Sequence, residues 1–438
     1  MEINNPKVFH SIDLDMVRAL TEFWRTLDES PIQGLLMRPT RSTKRPAFCA
    51  GGDVKRVYES GIDASQGPHG VGAPGVYTAE FFRQLYVLNH MMNVWDRPQI
   101  SLWDGIVMGG GVGISIYGKY RVATENTVFA MPETSIGVIP DIGSMYWMTH
   151  RLDWSVASYL ALTGARLKAP DLLHTGIATH YVPSNQLDEL QLALVEASES
   201  SVSLTSPTET NDIFQPVLES FHQDPHHGTV SDGTAVGGNT ADVLSEGPLL
   251  VRHADILHDV FGSIDTSMEA IMARLEERTI GHMQKDKVSV EDDPSSPSNW
   301  SASSLPISSS QFCKETLTAL ESASPTSLKV TLEGLKRGRT MSLLEDGLQM
   351  EFRMFQTCLK PGSDFYRGIR SVLVDKDRNP QWIPNTLEEV TDETVEQYFA
   401  PLDTNEWALP TTLQQQTVPS KDLSTGLVSD RSINTALF

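Results

Sequence analysis

The sequence predicts an α/β fold, and three observations carry that expectation. Helical and strand-like segments alternate from residue 11 to about 200, two glycine turns sit where a strand would hand over to a helix, and a helical period returns from Phe312 to Met354. In chain order, Ser11 and Asp13 offer caps for a helix whose apolar positions Leu14, Val17, Leu20, Phe23, Trp24 and Leu27 recur every three or four residues. Gly34-Leu35-Leu36-Met37 is short and apolar, the pattern of a buried strand. Cys49-Ala50-Gly51-Gly52-Asp53 then turns into a second helix. A longer helical stretch from about Tyr77 to Trp95 is closed by Arg97-Pro98. A strand follows at Gln99 to Trp103, then the turn Met108-Gly109-Gly110-Gly111-Val112-Gly113, then strands around Val122 and Val128.

Beyond residue 200 the composition changes. Residues 223–246 are rich in Gly, Thr and Asp, and residues 287–310 in Ser and Pro, with a helix expected between them over Asp255 to Glu277. Such polar stretches bury too little apolar area to offset their ordering entropy and read as mobile surface insertions. The chain therefore divides into a core over 1–200, a helical region over 201–310 carrying the two insertions, a helical C-terminal region over 311–403 and a polar tail over 404–438.

Charge and cysteine content narrow the function. Lys and Arg number 34 against 56 Asp and Glu in 438 residues, a formal charge of −22. A surface this acidic repels phosphate backbones, so direct nucleic-acid binding is not expected; the one basic cluster is Arg38, Arg41, Lys44 and Arg45. The three cysteines, Cys49, Cys313 and Cys358, contain no CxxC pair and point to a reducing compartment without structural zinc. The twelve histidines show no HExxH or other regular ligand spacing, so no metal is expected. No run approaches the roughly 20 apolar residues of a membrane span. The opening Met1-Glu2-Ile3-Asn4-Asn5 has the pattern of neither a signal peptide nor a transit peptide.

Three motifs carry chemistry. Gly51-Gly52 before Asp53 exposes backbone N–H groups that suit an anion or a developing oxyanion; a plain tight turn with Asp53 capping the next helix fits equally. Gly109-Gly110-Gly111 matches neither GxGxxG with its acidic partner nor the GxxxxGK[ST] loop. With the first turn it supplies what a two-donor oxyanion hole requires, though close helix–strand packing is an alternative. Glu133 and Asp141 stand eight residues apart, each directly after a proline. In one pocket two such carboxyls divide acid and base roles; otherwise Asp141 caps the helix near Ser144 and Glu133 is a solvated loop charge. Gly-x-Ser-x-Gly is absent, so a serine hydrolase is not supported.

These motifs, in this order, resemble the crotonase superfamily, and more closely its 3-hydroxyisobutyryl-CoA hydrolase family of valine degradation. Phe48 to Val54 resembles the family's first oxyanion-hole turn and Met108 to Gly113 its second; Met131-Pro132-Glu133-Thr134 and Pro140-Asp141-Ile142-Gly143 are similar to the hydrolase branch. Ala161-Leu162-Thr163-Gly164, Gly176 to His180, Ser324 to Lys329, Asp364 to Gly368, Asp375-Lys376-Asp377 and Asn379-Pro380 fit the same family, so the likeness spans about residues 3–403 apart from the insertions.

The resemblance implies a spiral of ββα units with a helical C-terminal region, closing over an acyl-CoA whose thioester is hydrolysed to 3-hydroxyisobutyrate and CoA. It places the carbonyl between the N–H groups of Gly52 and Gly110, gives Glu133 and Asp141 the catalysis, and sets Ala50, Gly51, Asp53, Gly109 and Leu85 around the substrate. CoA belongs to the substrate, so no separate cofactor is implied; a homo-oligomer and a mitochondrial matrix location are. Gly113 stands where the superfamily's hydratases carry a glutamate, which disfavours a hydratase or isomerase reaction.

Three departures stand out. The family's opening hairpin is apparently missing ahead of Asn4. Leu85 replaces a glutamate that faces substrate. Ser144 and Met145 replace small residues, so the methionine is expected to crowd the acyl pocket. Such losses, with the insertions, suit an alternative: a weakly active or inactive homologue in the mitochondrial ribosomal small subunit, with ribosomal proteins as partners.

Overall fold

The computed structural model describes residues 1–27, 30, 32–40, 45–66, 76–201, 212–225, 247–291, 307–402 and 409. Eight strands follow in chain order: β1 (Glu2–Ile3), β2 (Leu35–Pro39), β3 (Ala47–Cys49), β4 (Gln99–Trp103), β5 (Ile106–Met108), β6 (Tyr120–Ala123), β7 (Val128–Ala130) and β8 (His180–Tyr181). They form two wholly parallel sheets, a five-stranded one ordered β1-β2-β4-β6-β8 and a three-stranded one ordered β3-β5-β7. From β2 onward successive strands alternate between the sheets, so each ββα turn of the chain adds one strand to each. This is the expected spiral.

Parallel sheets are covered on both faces, and their strands read as near-continuous apolar runs for that reason. In β4 all five residues are buried, with Ile100 and Leu102 on one side and Trp103 on the other. The outer side packs on Leu187, Leu190 and Leu194 of the Leu187–Ser201 helix and on Phe214 and Leu218. The inner side joins the main core, which also takes Val17, Leu20, Trp24 and Leu27 from the amphipathic Leu14–Leu27 helix. The small sheet positions the site. Gly51-Gly52 follows β3, Gly109-Gly110 follows β5 and Glu133 follows β7, so three candidate segments leave neighbouring strands at their C-terminal ends, where parallel α/β sheets bind ligands.

The C-terminal region supplies helices Ser309–Ser322, Pro325–Thr340, Leu344–Cys358 and Asp364–Ile369. Ser324 caps the second of these, its hydroxyl accepting from the Ser327 N–H at 3.0 Å with Pro325 in the first turn. The Leu344–Cys358 helix packs on Val76–Val94 and on Ser144–Arg151, and Asp364–Ile369 packs on the turn at Glu133–Ile136.

Two expectations are corrected. The single helix over Asp255–Glu277 is two, Ala254–Phe261 and Met268–Glu291, broken in the Gly262–Ser267 segment. The second runs on into the stretch expected as an insertion. Residues 226–246, 292–306, 403–408 and 410–438 lie outside the described residues, and with them most of both insertions and the tail. β1 lies parallel beside β2, with Glu2 opposite Arg38 and the Met1 ammonium donating to the Leu36 carbonyl at 2.7 Å.

Candidate active site

The two glycine turns meet. A Cβ placed on Gly110 would lie 3.1 Å from the Gly52 nitrogen, and one on Gly51 would lie 3.8 Å from the Gly110 nitrogen. Among the described residues neither N–H is taken by a backbone or side-chain acceptor: Gly110 opens the Gly110–Gly113 helix, where first-turn donors are free, and at Gly52 the bridge to Ile12 runs through Gly51 O and Asp53 N instead. Gly109 takes φ +46 and ψ −121, a backbone that disfavours side chains, and its missing Cβ would sit 3.0 Å from Glu133 Oε1. The Glu133 carboxyl therefore lies against the second turn.

Both carboxyls are buried. Glu133 is 8% exposed and Asp141 6%, which removes the solvated-loop alternative. Glu133 Oε2 has no partner among the described residues. Burial first, then the charge of Asp141, push the Glu133 carboxyl well above the ordinary range. Asp141 is pushed up to about 7 by burial, while the Tyr86 hydroxyl, donating to Oδ2 at 2.9 Å, holds it down. Nor does the Asp141 side chain cap a helix: its carbonyl accepts from Ser144 Oγ at 2.5 Å, and the cap of Ser144–Arg151 is Gly143. The Asp141 turn is strained, with Ile142 at φ +59 beside Gly143 at +77. A buried β-branched residue there costs roughly 1–3 kcal/mol and persists only where its surroundings impose it.

The remaining sequence candidates fall on both sides of the expectation. Gly51 sits with Gly52, and the Phe81 ring closes over Gly52, 3.2 Å from where its Cβ would be. Ala50 anchors the turn by donating to Phe9 O at 3.0 Å. Asp53 caps the Val54–Gln66 helix, its Oδ1 accepting from the Arg56 N–H at 3.1 Å. Leu85 lies on the Val76–Val94 helix between Phe81 at Gly52 and Asn89 at Gly113, and is 2% exposed within the core. Met145 is fully buried. Its sulfur packs against Gly334 of the Pro325–Thr340 helix, where a Cβ would be 3.0 Å away, because two glycines four residues apart leave a groove on that helix. Gly113 is tightly walled: its Cβ would meet Ile142 at 3.0 Å and Asn89 Nδ2 at 3.1 Å, so a side chain there requires both to give by a few tenths of an ångström.

Sequence reasoning missed Tyr86 as a partner of Asp141, and it missed Glu351. The latter is fully buried, with Oε2 accepting from the Gly143 N–H at 2.5 Å and Oε1 from the Met145 N–H at 2.8 Å. One signal was present: Glu351 falls on the apolar stripe Leu344, Leu348, Phe352 and Phe355 of its helix, where an acid is out of place unless partnered.

Parallel strand ends, paired glycine turns and two buried carboxyls define an acyl-CoA enzyme of the crotonase fold, and a family model described as enoyl-CoA hydratase/isomerase matches residues 1–399. The mitochondrial 3-hydroxyisobutyryl-CoA hydrolase of Gallus gallus is 36% identical, covering 93% of this chain and 87% of its own. The probable 3-hydroxyisobutyryl-CoA hydrolase 3 of Arabidopsis thaliana is 34% identical over 93% of this chain and 90% of its own. Among solved structures, a carnitinyl-CoA dehydratase from Mycobacterium thermoresistibile superposes with a TM-score of 0.69 at 29% identity, covering 93% of this chain and 94% of its own. The chain belongs to the enoyl-CoA hydratase/isomerase family, within its 3-hydroxyisobutyryl-CoA hydrolase group. These relatives lend the ribosomal alternative no support.

Proposed function

We infer that the protein hydrolyses the thioester of 3-hydroxyisobutyryl-CoA. The observation that carries this reading is the pair of buried carboxyls in unlike surroundings beside the two free N–H groups. Asp141 has a donor, Tyr86, and therefore keeps the negative charge; Glu133 has none on Oε2 and keeps the proton. The thioester carbonyl accepts from Gly52 and Gly110 N–H, each such donor contributing roughly 3–4 kcal/mol to the transition state. Asp141 takes a proton from the attacking water, the C–S bond breaks, and Glu133 gives its proton to the departing thiolate. Return of the proton from Asp141 to Glu133 resets the pair. Acid–base help of this kind supplies about 10²–10⁴-fold.

The blocked space at Gly113 supports hydrolysis over hydration, since a carboxylate there would displace Ile142 and Asn89. The acyl group follows the relatives' names, as does a mitochondrial location, which we place in the matrix. Thiol release from 3-hydroxyisobutyryl-CoA tests the reading, with folded Glu133→Gln and Asp141→Asn beside the wild type. Turnover lower by about 10²–10⁴-fold in each folded variant is expected; a folded wild type without turnover would refute the reading.

A further inference from the structure

We propose that Glu351 is a positioning residue for this hydrolysis, its carboxylate clamping the Asp141–Gly143 turn so that Asp141 stays beside Tyr86 and Glu133; the role rests on the hydrolase reading above. Ile142 and Gly143 both have positive φ, and a buried isoleucine does not hold that conformation by itself. Two ties hold it. The Tyr117 hydroxyl donates to the Ile142 carbonyl at 2.5 Å, and Glu351 accepts from Gly143 and Met145 N–H on either side of Ser144.

Both oxygens of Glu351 act as acceptors, the pattern of an ionised carboxylate, and they sit at the N-terminal end of the Ser144–Arg151 helix, where backbone dipoles favour negative charge. The clamp comes from 208 residues away in the chain. It anchors the catalytic loop to the C-terminal helices and leaves the glycine turns untouched. Around the Asp141–Glu351 pair stand Tyr86, Tyr117, Glu133 and, from the same helix as Glu351, Cys358; Arg151 acts on Tyr117. Burial first, and then the charge of Asp141, push the Glu351 carboxyl upward, while the Met145 and Gly143 N–H groups hold it down.

The test is Glu351→Gln in the full chain, read as kcat, KM and the pH dependence of kcat. Positioning predicts a kcat lower by about 10- to 100-fold, KM within about threefold of wild type, and an acid limb moved to higher pH because Asp141 is no longer held against the Tyr86 hydroxyl that keeps it ionised. It also predicts little further loss when Glu351→Gln is added to Asp141→Asn, since the residue acts through Asp141. A folded Glu351→Gln with wild-type kcat and pH profile would overturn the role, as would a loss that multiplies fully onto Asp141→Asn. If Glu351→Gln does not fold, Tyr117→Phe releases the other tie: kcat about three- to tenfold lower supports the clamp, and unchanged kcat overturns it. A wild type without turnover would remove the reaction, and this role with it; an active wild type with an equally active variant would remove the role alone.

Discussion

Replacing Tyr86 with Phe deletes one hydroxyl and leaves the ring, which packs edge-on against Phe352 and Phe82 with centroids 6.2 and 6.3 Å away. The deleted hydroxyl is the donor at 2.9 Å to Asp141 Oδ2, and both groups are buried. A hydrogen bond to a charged group is worth about 1.5–3 kcal/mol, and a tenfold change in proton affinity corresponds to about 1.4 kcal/mol. The Asp141 titration, at about 7 in the intact site, therefore moves to higher pH by roughly one to two pH units. Near neutral pH the ionised fraction falls from about one half to roughly 1–10%, so kcat there drops about 5- to 50-fold. The loss is recovered on the alkaline side, because the carboxylate itself is intact. The assay is kcat for thiol release between about pH 5 and pH 9, with spontaneous thioester hydrolysis subtracted. An acid limb at the wild-type position, or a loss of the same size at every pH, would refute Asp141 as the base that Tyr86 keeps ionised.

Other outcomes follow from the same geometry. Gly113→Ala places its Cβ 3.0 Å from Ile142 and should cost about 1–3 kcal/mol in denaturant unfolding; wild-type stability would mean the wall yields and a hydratase carboxylate would fit. Leu85→Glu buries an unpaired charge in the core, so thermal stability and turnover should both fall; a stable variant with faster turnover would restore the expectation that a lost carboxylate limits the enzyme. Asp141 holds its proton to about 7 when folded and to 3.8 when unfolded, so its contribution to stability is complete below the unfolded value and lost as pH rises through the folded one. The full loss is on the order of 4 kcal/mol. Asp141→Asn should therefore melt higher than wild type by a margin that widens from about pH 5 to about pH 8, and a constant margin would contradict the burial cost.

Residues whose placement depends on near neighbours were legible in the sequence. Gly52, Gly110 and Glu133 each lie within a few residues of a small-sheet strand, so strand–turn spacing brings them together without knowledge of the rest. Tyr86 and Glu351 were not legible in their roles, because their partners lie 55 and 208 residues away. The packing of Met145 was not legible for the same reason, since no local pattern connects it to Gly334 and Gly338. Asp53 illustrates the opposite limit: its neighbourhood allowed both ligand contact and capping, and only the hydrogen bond to the Arg56 N–H shows the capping.

The division of labour in the site explains why a shared fold leaves the reaction open. The N–H pair is built by the small sheet alone, from the ends of β3 and β5. The carboxyls are held from behind by the C-terminal region: Ser324 N–H donates to Thr134 O at 3.1 Å beside Glu133, Gly368 packs on the Ile136 backbone at the end of that turn, and Glu351 holds the Asp141 turn. Changes in those helices can move a carboxyl while the two glycine N–H groups stay in place. A shared fold alone does not choose between water addition and hydrolysis. Here the choice rests on two local facts. Ile142 and Asn89 close the space at Gly113, and the strained turn that places Ile142 there is the one that carries Asp141.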